Sequence, residues 1–214
     1  MASKQFDENK VCTLRGSSQM ISEFFGYAVN TLLYLRNVYS SETFKATKQY
    51  DLTMQMTTDP EVKKYIANWL QQVYKWFLSG KVNQLVVVLE TVGTKKPVER
   101  WVFDVETDQQ SLFTGEISEE KESRSEKEIQ TQIRSLVKQI TQAVTFLPVP
   151  SEPCTFDLLA YTDQGVEIPT SDWEETGAQL LSNPCHLELR SFDTGIQRVS
   201  TIVAYEQENV DNQT

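Results

Sequence analysis

The chain has 214 residues with 30 acidic and 20 basic side chains, a formal net charge of −10. That balance argues against nucleic acid as a partner, because phosphate recognition leaves a basic footprint, and it would steer a basic peptide instead. A chain this long buries one real core, no apolar run approaches the roughly 18 residues of a membrane span, and the opening MASKQFDENK lacks an apolar secretory stretch, so one soluble intracellular domain with no membrane partner is expected.

Residues 1–10 are polar and expected to be flexible, and 11–15 alternates enough for a short edge strand. Gly16 and Ser17 would then break that strand and cap a helix. Over 18–37, Ile21, Phe24, Phe25, Ala28, Val29, Leu32 and Leu33 share one face and predict a buried helix. Residues 39–57 read as a connection with some strand character at 52–56. Asp59 before Pro60 starts a second helix, an acidic cap followed by a residue whose missing N–H costs nothing there. Val62, Ile66, Trp69, Val73, Trp76 and Phe77 follow at helical steps, and Gly80 marks the end.

The aliphatic run 85–89 predicts a strand covered on both faces. Residues 98–105 alternate, with Trp101, Phe103 and Val105 on one side, and 91–97 joins the two strands as a hairpin. Residues 108–122, rich in Ser, Glu and Gln, read as an exposed loop. Ser125 with Glu128 forms a capping box for a third helix, whose buried stripe is Ile129, Ile133, Leu136, Val137, Ile140 and Val144 and which Pro148 stops. Its other face, Gln130, Gln132, Arg134, Lys138 and Gln142, carries no acid. Residues 155–162 form a strand, 169–184 is irregular around Trp173, and 186–192 with 198–205 makes a hairpin about Asp193 and Gly195. Helices first and strands last give an α+β fold, three helices packed on a mainly antiparallel sheet, ahead of an acidic flexible tail at 206–214.

Catalytic constellations are thin. The single histidine, His186, sits in a predicted strand with nothing to complete a nucleophilic triad. Glu174 and Glu175, with Asp172 nearby, read as solvated loop carboxylates rather than an acid–base pair. No phosphate loop or zinc-protease motif is present. Cys12, Cys154 and Cys185 are odd in number without a CxxC pair, which argues against a disulfide framework and a structural zinc site. Lys81, Lys95 and Lys96 near Trp76 and Phe77 make a solvated rim rather than a nucleic-acid patch. What remains is binding through sheet edges and packed side chains.

The third helix ends in Val-Thr-Phe-Leu-Pro, and further motifs occur in one order along the chain. They are Thr13-Leu-Arg-Gly16, Glu23-Phe-Phe25, Ser41-Glu-Thr-Phe44, Tyr50, Glu99-Arg-Trp101, Phe156-Asp-Leu-Leu159 with Tyr161-Thr-Asp163, Trp173-Glu-Glu175, Leu189-Arg-Ser-Phe192 and Val203-Ala-Tyr205. Together they resemble the HORMA-domain family, in its spindle-checkpoint branch. The resemblance implies a HORMA domain at 11–205 whose carboxy-terminal safety belt, about 160–205, is mobile. In an open form the belt hairpin lies beside strand 155–162. In a closed form it crosses to the edge of strand 98–105 and displaces an amino-terminal strand near Leu14.

By the same resemblance, a partner peptide is entrapped as an added strand. Phe156, Leu158, Tyr161, Trp173, Leu187, Leu189, Arg190, Phe192, Val203 and Tyr205 are implied for that role. Arg134, Lys138, Gln139, Gln142 and Phe146 are implied for pairing open with closed copies and for a HORMA-like regulator; at Lys138 the family has arginine, whose planar fork an ammonium does not reproduce. Leu14, Trp76 and Trp101 are implied to set the open-to-closed balance. The implied partners are the activator of the anaphase-promoting complex, a coiled-coil kinetochore scaffold, a kinase-like subunit of the checkpoint complex and a remodelling ATPase gripping the amino terminus. The implied setting is nucleus and cytoplasm, with kinetochore or spindle in mitosis, and no cofactor. Alternatives are a HORMA adaptor of translesion polymerase or chromosome-axis assembly and, from another class, a small acidic enzyme.

Overall fold

The computed structural model describes residues 12–114, 124–169 and 173–206. The expected flexible segment 1–10 and all of the tail beyond Glu206 lie outside them. Helix α1 runs Leu14–Leu35, capped by Thr13, whose hydroxyl accepts from the Gly16 N–H. The expected strand at 11–15 is therefore corrected: Leu14 and Arg15 open a helix, and Gly16 and Ser17 continue it rather than break it. A local hydroxyl cap stabilises that start, while the sheet edge such a strand would need is taken by another strand.

Strands β1 (Phe44–Gln49) and β2 (Leu52–Thr57) form a separate antiparallel hairpin where only partial strand character was expected. β1 is polar and mostly exposed, so no apolar alternation announces it. Asn30 of α1 anchors this hairpin: its Oδ1 accepts from the Thr57 N–H at 2.9 Å and its Nδ2 donates to the Gly26 carbonyl at 2.8 Å. Helix α2 (Pro60–Leu78) starts as anticipated, the Asp59 carboxylate accepting from the N–H groups of Glu61 and Val62.

Strands β3 (Val82–Thr91) and β4 (Pro97–Thr107) pair antiparallel. A short helix α3 (Gln109–Thr114) then replaces part of the expected loop, held by Asp108, which accepts from the backbone and hydroxyl of Ser111. Helix α4 (Glu126–Val144) carries the full capping box between Ser125 and Glu128. Strands β5 (Cys154–Thr162), β6 (Pro184–Glu188), β7 (Phe192–Asp193) and β8 (Gln197–Glu206) complete the chain, so the expected strand 186–192 is interrupted.

The main sheet runs β5-β3-β4-β8-β6, with β7 also on β8, and every pairing is antiparallel. The carboxy-terminal hairpin therefore lies along β4, the arrangement that the resemblance assigns to the closed form. Helices α1, α2 and α4 cover one face, burying Phe24, Phe25, Trp101, Phe103 and Phe192 in one core. Phe24 meets Phe103 and Phe192 edge-on. Val86, Val88 and Leu159 form a smaller cluster on the opposite face, so the aliphatic β3 is covered on both sides.

Beneath the helices, Arg36 at the end of α1 forms a buried ion pair with Glu99 of β4 and donates to the Pro148 carbonyl. Burial pushes the Glu99 carboxyl above its usual range, while Arg36 and the Trp101 indole N–H, 3.1 Å away, pull it back down.

Candidate functional site

Four of the expected binding residues, Phe156, Leu158, Tyr161 and Trp173, lie at the β5 end of the sheet. Val92 donates its N–H to the Pro153 carbonyl, and Asp163 donates to Lys81. Strand alternation then turns the backbone groups of the odd-numbered β5 residues toward β3, and those of Phe156, Leu158, Ala160 and Thr162 outward. Side chains of Phe156, Leu158 and Ala160 join the core under the helices, whereas Leu159 and Tyr161 pack on the other face.

A cleft of about 280 Å³ runs along this edge, lined by Leu158, Tyr161, Ile168, Trp76 and Trp173. Trp173 meets Trp76 edge-on at 4.8 Å and stacks over Trp69 at 5.9 Å. Farther along, the Ala178 carbonyl accepts from the Tyr161 hydroxyl and Gln179 donates to Asp157 at 3.0 Å. The connection from β5 to β6 thus passes round the outer edge of β5, from the helix-covered face to the opposite one. Phe156 packs edge-on against Tyr39 and Tyr65.

Leu187, Leu189, Arg190, Phe192, Val203 and Tyr205 do not line this cleft; they belong to the hairpin at the other end of the sheet. Phe192 and Val203 are core residues, Leu189 and Tyr205 pack partly against the core, and Leu187 is 36 % exposed. The turn before β8 is rooted in buried polar contacts: the Ser17 hydroxyl lies 2.7 Å from the Thr194 hydroxyl and donates to Gln197 Oε1 at 2.6 Å.

The polar face of α4 is partly engaged within the chain. Gln139 Oε1 accepts from the Arg190 N–H at 2.6 Å, Gln132 Oε1 accepts from the Asp193 N–H at 2.9 Å, and Arg134 pairs with Asp51 of the hairpin turn at 3.2 Å. Lys138 and Gln142 are exposed and border a groove against β2, while Phe146 is 80 % exposed. Of the implied switch residues, Leu14 is a half-buried first residue of α1, Trp76 lines the cleft, and Trp101 is fully buried.

Sequence reasoning treated Trp69 only as helix core, quoted Asp157 only within the Phe156–Leu159 motif without a role, and passed over Tyr65 and Gln179. Trp69 Nε1 donates to the Leu158 carbonyl at 3.1 Å, and Asp157 Oδ1 accepts from the Leu158 N–H at 2.8 Å and from the Tyr65 hydroxyl. Nothing in a linear sequence brings these four together.

The residues weighed for catalysis are scattered. His186, Glu174 and Glu175 are exposed, and Asp172 lies outside the described residues. Burial pushes the Cys12 thiol up to about 11, which suits a packed thiol rather than a nucleophile. Lys81, Lys95 and Lys96 each face a carboxylate, on Asp163, Glu90 and Glu206. Among the described residues no cluster suits a metal ion and no helix is long and apolar enough to cross a membrane.

An α+β scaffold whose last strand pairs with β4 while β5 ends the sheet beside a wrapped cleft defines a class of adaptor built around a sheet edge. Residues 17–197 match the HORMA domain model, and the chain belongs to the HORMA-domain family. A Zea mays protein named mitotic spindle checkpoint protein MAD2 is 42 % identical over 213 residues, all of both chains. The Homo sapiens protein named mitotic spindle assembly checkpoint protein MAD2A is 41 % identical over 94 % of this chain and 96 % of its own.

A crystal structure of a mitotic checkpoint complex contains a chain 37 % identical to this one, with a TM-score of 0.78 over 90 % of this chain and 99 % of that one. The Caenorhabditis elegans protein HTP-2, solved bound to the HIM-3 closure motif, shares the fold at 12 % identity and a TM-score of 0.72, covering 91 % of this chain and 92 % of its own. These checkpoint relatives support a role in the spindle checkpoint, and the chain is a binding protein rather than an enzyme.

Proposed function

We propose that the chain is a spindle-checkpoint adaptor that switches between an open and a closed fold and entraps a segment of the anaphase-promoting complex activator as a strand added to β5. The supporting observation is the outer edge of β5 beside the Trp173 cleft, with the connection to β6 wrapped round it. An extended segment adding there gains main-chain hydrogen bonds, with side chains seated alternately. About six such bonds at ~1 kcal/mol net each match the roughly 5.5 kcal/mol that moves a two-state equilibrium from about 1:99 to 99:1. In the open state the hairpin would pair with β5 itself, so capture and hairpin transfer to β4 are coupled.

The same proposal includes recruitment to kinetochores by a coiled-coil scaffold that holds one closed copy, and association with a kinase-like subunit. It also includes open-to-closed pairing through Lys138, Gln142 and the exposed Phe146, and reopening by a HORMA-like regulator with a remodelling ATPase. Nucleus and cytoplasm, with kinetochore or spindle in mitosis, are the locations it requires. Its test is amide exchange with and without a synthetic peptide carrying a basic residue, two aliphatic residues and a later proline. Capture slows exchange of the outward amides of β5 and binds over minutes, because strands unpair first. Diffusion-limited binding with unchanged exchange across 154–206 would sink it.

A further inference from the structure

Both groups that Leu158 turns outward are already engaged. Its single N–H donates to the Asp157 carboxylate at 2.8 Å, and its carbonyl accepts from Trp69 Nε1 at 3.1 Å. A carboxylate is a stronger acceptor than a peptide carbonyl, so an incoming strand gains little by competing for that N–H. Asp157 is further fixed by the Tyr65 hydroxyl at 3.2 Å and the Gln179 amide at 3.0 Å. Trp69 is held by stacking between Phe25, at 4.9 Å, and Trp173. Among the described residues, no such pair of side chains meets the outward groups of Phe156 or Ala160.

We propose that Trp69 and Asp157 form a register gate, so that a segment captured on β5 makes two full half-ladders, at Phe156 and at Ala160, around one central residue. That residue faces an N–H already spent on Asp157 and a carbonyl already shared with Trp69, and so gains least from backbone hydrogen bonding. This rests on the strand-capture reading. The ligand class is an extended polypeptide whose central residue least needs its N–H, and a proline or another N-alkylated residue meets that requirement with the smallest loss. The gate gives an edge a preferred register that backbone pairing alone does not supply: a slide of two residues puts a bonding amide against Leu158 and takes one from a half-ladder.

The test is a scan of single backbone N-methyl groups along a synthetic peptide about ten residues long, of the basic and aliphatic class described above, bound to the full chain and read as Kd. Alternate peptide amides face β5. Methylation of those facing Phe156 and Ala160 is expected to weaken binding about fivefold to tenfold, and of the one facing Leu158 less than about twofold. Trp69→Phe retains an aromatic ring between Phe25 and Trp173 and makes the central methyl as costly as its neighbours. Asp157→Ala is the second variant should that one fail to fold: it frees the Leu158 N–H and tightens the unmethylated peptide about fivefold. Equal losses at all three amides of the peptide on the wild-type chain, or losses and affinities indifferent to both substitutions, overturn the gate and leave strand capture standing. Absence of slowed exchange at the Phe156 and Ala160 amides with peptide bound overturns capture and the gate together.

Discussion

At the β5 end of the sheet the helix layer reaches the last strand's backbone, with Trp69 on the Leu158 carbonyl and Tyr65 on Asp157. At the β6 end the last strand stands in the open: His186, Leu187 and Glu188 are exposed, and five opposed residue pairs tie it to β8. One strand further in, β8 differs again, with nine opposed pairs to β4 and a turn sunk among buried hydroxyls and Gln197. The carboxy-terminal hairpin thus has a deep root and a shallow tip. Rearrangement at that end starts from the tip, because few buried contacts oppose local opening there.

The contrast breaks most severely at Glu99, which lies opposite Tyr205 of the root. Glu99→Ala leaves Arg36 charged and buried without its partner and is expected to cost about 3–5 kcal/mol in urea unfolding, whereas replacing both residues by apolar ones costs far less. A loss under about 1 kcal/mol would show that the root does not depend on the ion pair. Next in size, Gln197→Ala removes the buried side-chain acceptor of the Ser17 hydroxyl and the donor to Thr107. It is expected to destabilise by about 1–3 kcal/mol and to speed amide exchange in β7 and β8 ahead of β3; uniform acceleration would mean that root and sheet centre unfold as one.

Gln139→Ala separates tip from root. It removes the acceptor of the Arg190 N–H and is expected to cost about 1 kcal/mol or less, visible as faster exchange of that amide with β8 unchanged. The smallest effect lies away from both ends, at the start of α4. The Ser125 backbone and hydroxyl hold the Glu128 carboxyl below its usual range. A depressed folded value means that its contribution is present above the unfolded carboxylate pKa and lost as pH falls through the folded one. An amide titration is therefore expected to show fraying at 125–129 on acidification, absent in Glu128→Gln.

Helices α2 and α4 were legible because each buries one stripe at helical spacing behind a recognisable cap; α1 was legible from its stripe alone, its cap being Thr13 and not Gly16 and Ser17. Strands β3 and β4 were legible from an aliphatic run and an alternating one. Strand β1 was not, since Phe44-Lys-Ala-Thr-Lys-Gln49 buries almost nothing and depends on Asn30, far away in sequence, for its docking. The misplaced strand at 11–15 shows the same limit from the other side: alternation proposes a strand, but only a vacant ladder supports one, and β8 fills it. At the cleft, Trp173 and the β5 side chains were foreseen through the family motifs. The Trp69 contact was not, because which carbonyls of a strand face outward depends on pairing parity across the sheet.

The connection between β5 and β6 joins opposite ends of the sheet, four strand spacings or about 19 Å apart. Together with the strands it closes a hoop whose clasp is the hydrogen-bonded β8–β4 ladder, because β6 continues covalently into β8. A chain lying inside that hoop leaves by only two routes, by drawing a free end through or by unfastening the clasp. On the capture reading proposed above, residence time for a long molecule gripped at its middle would be governed by the opening rate of the clasp.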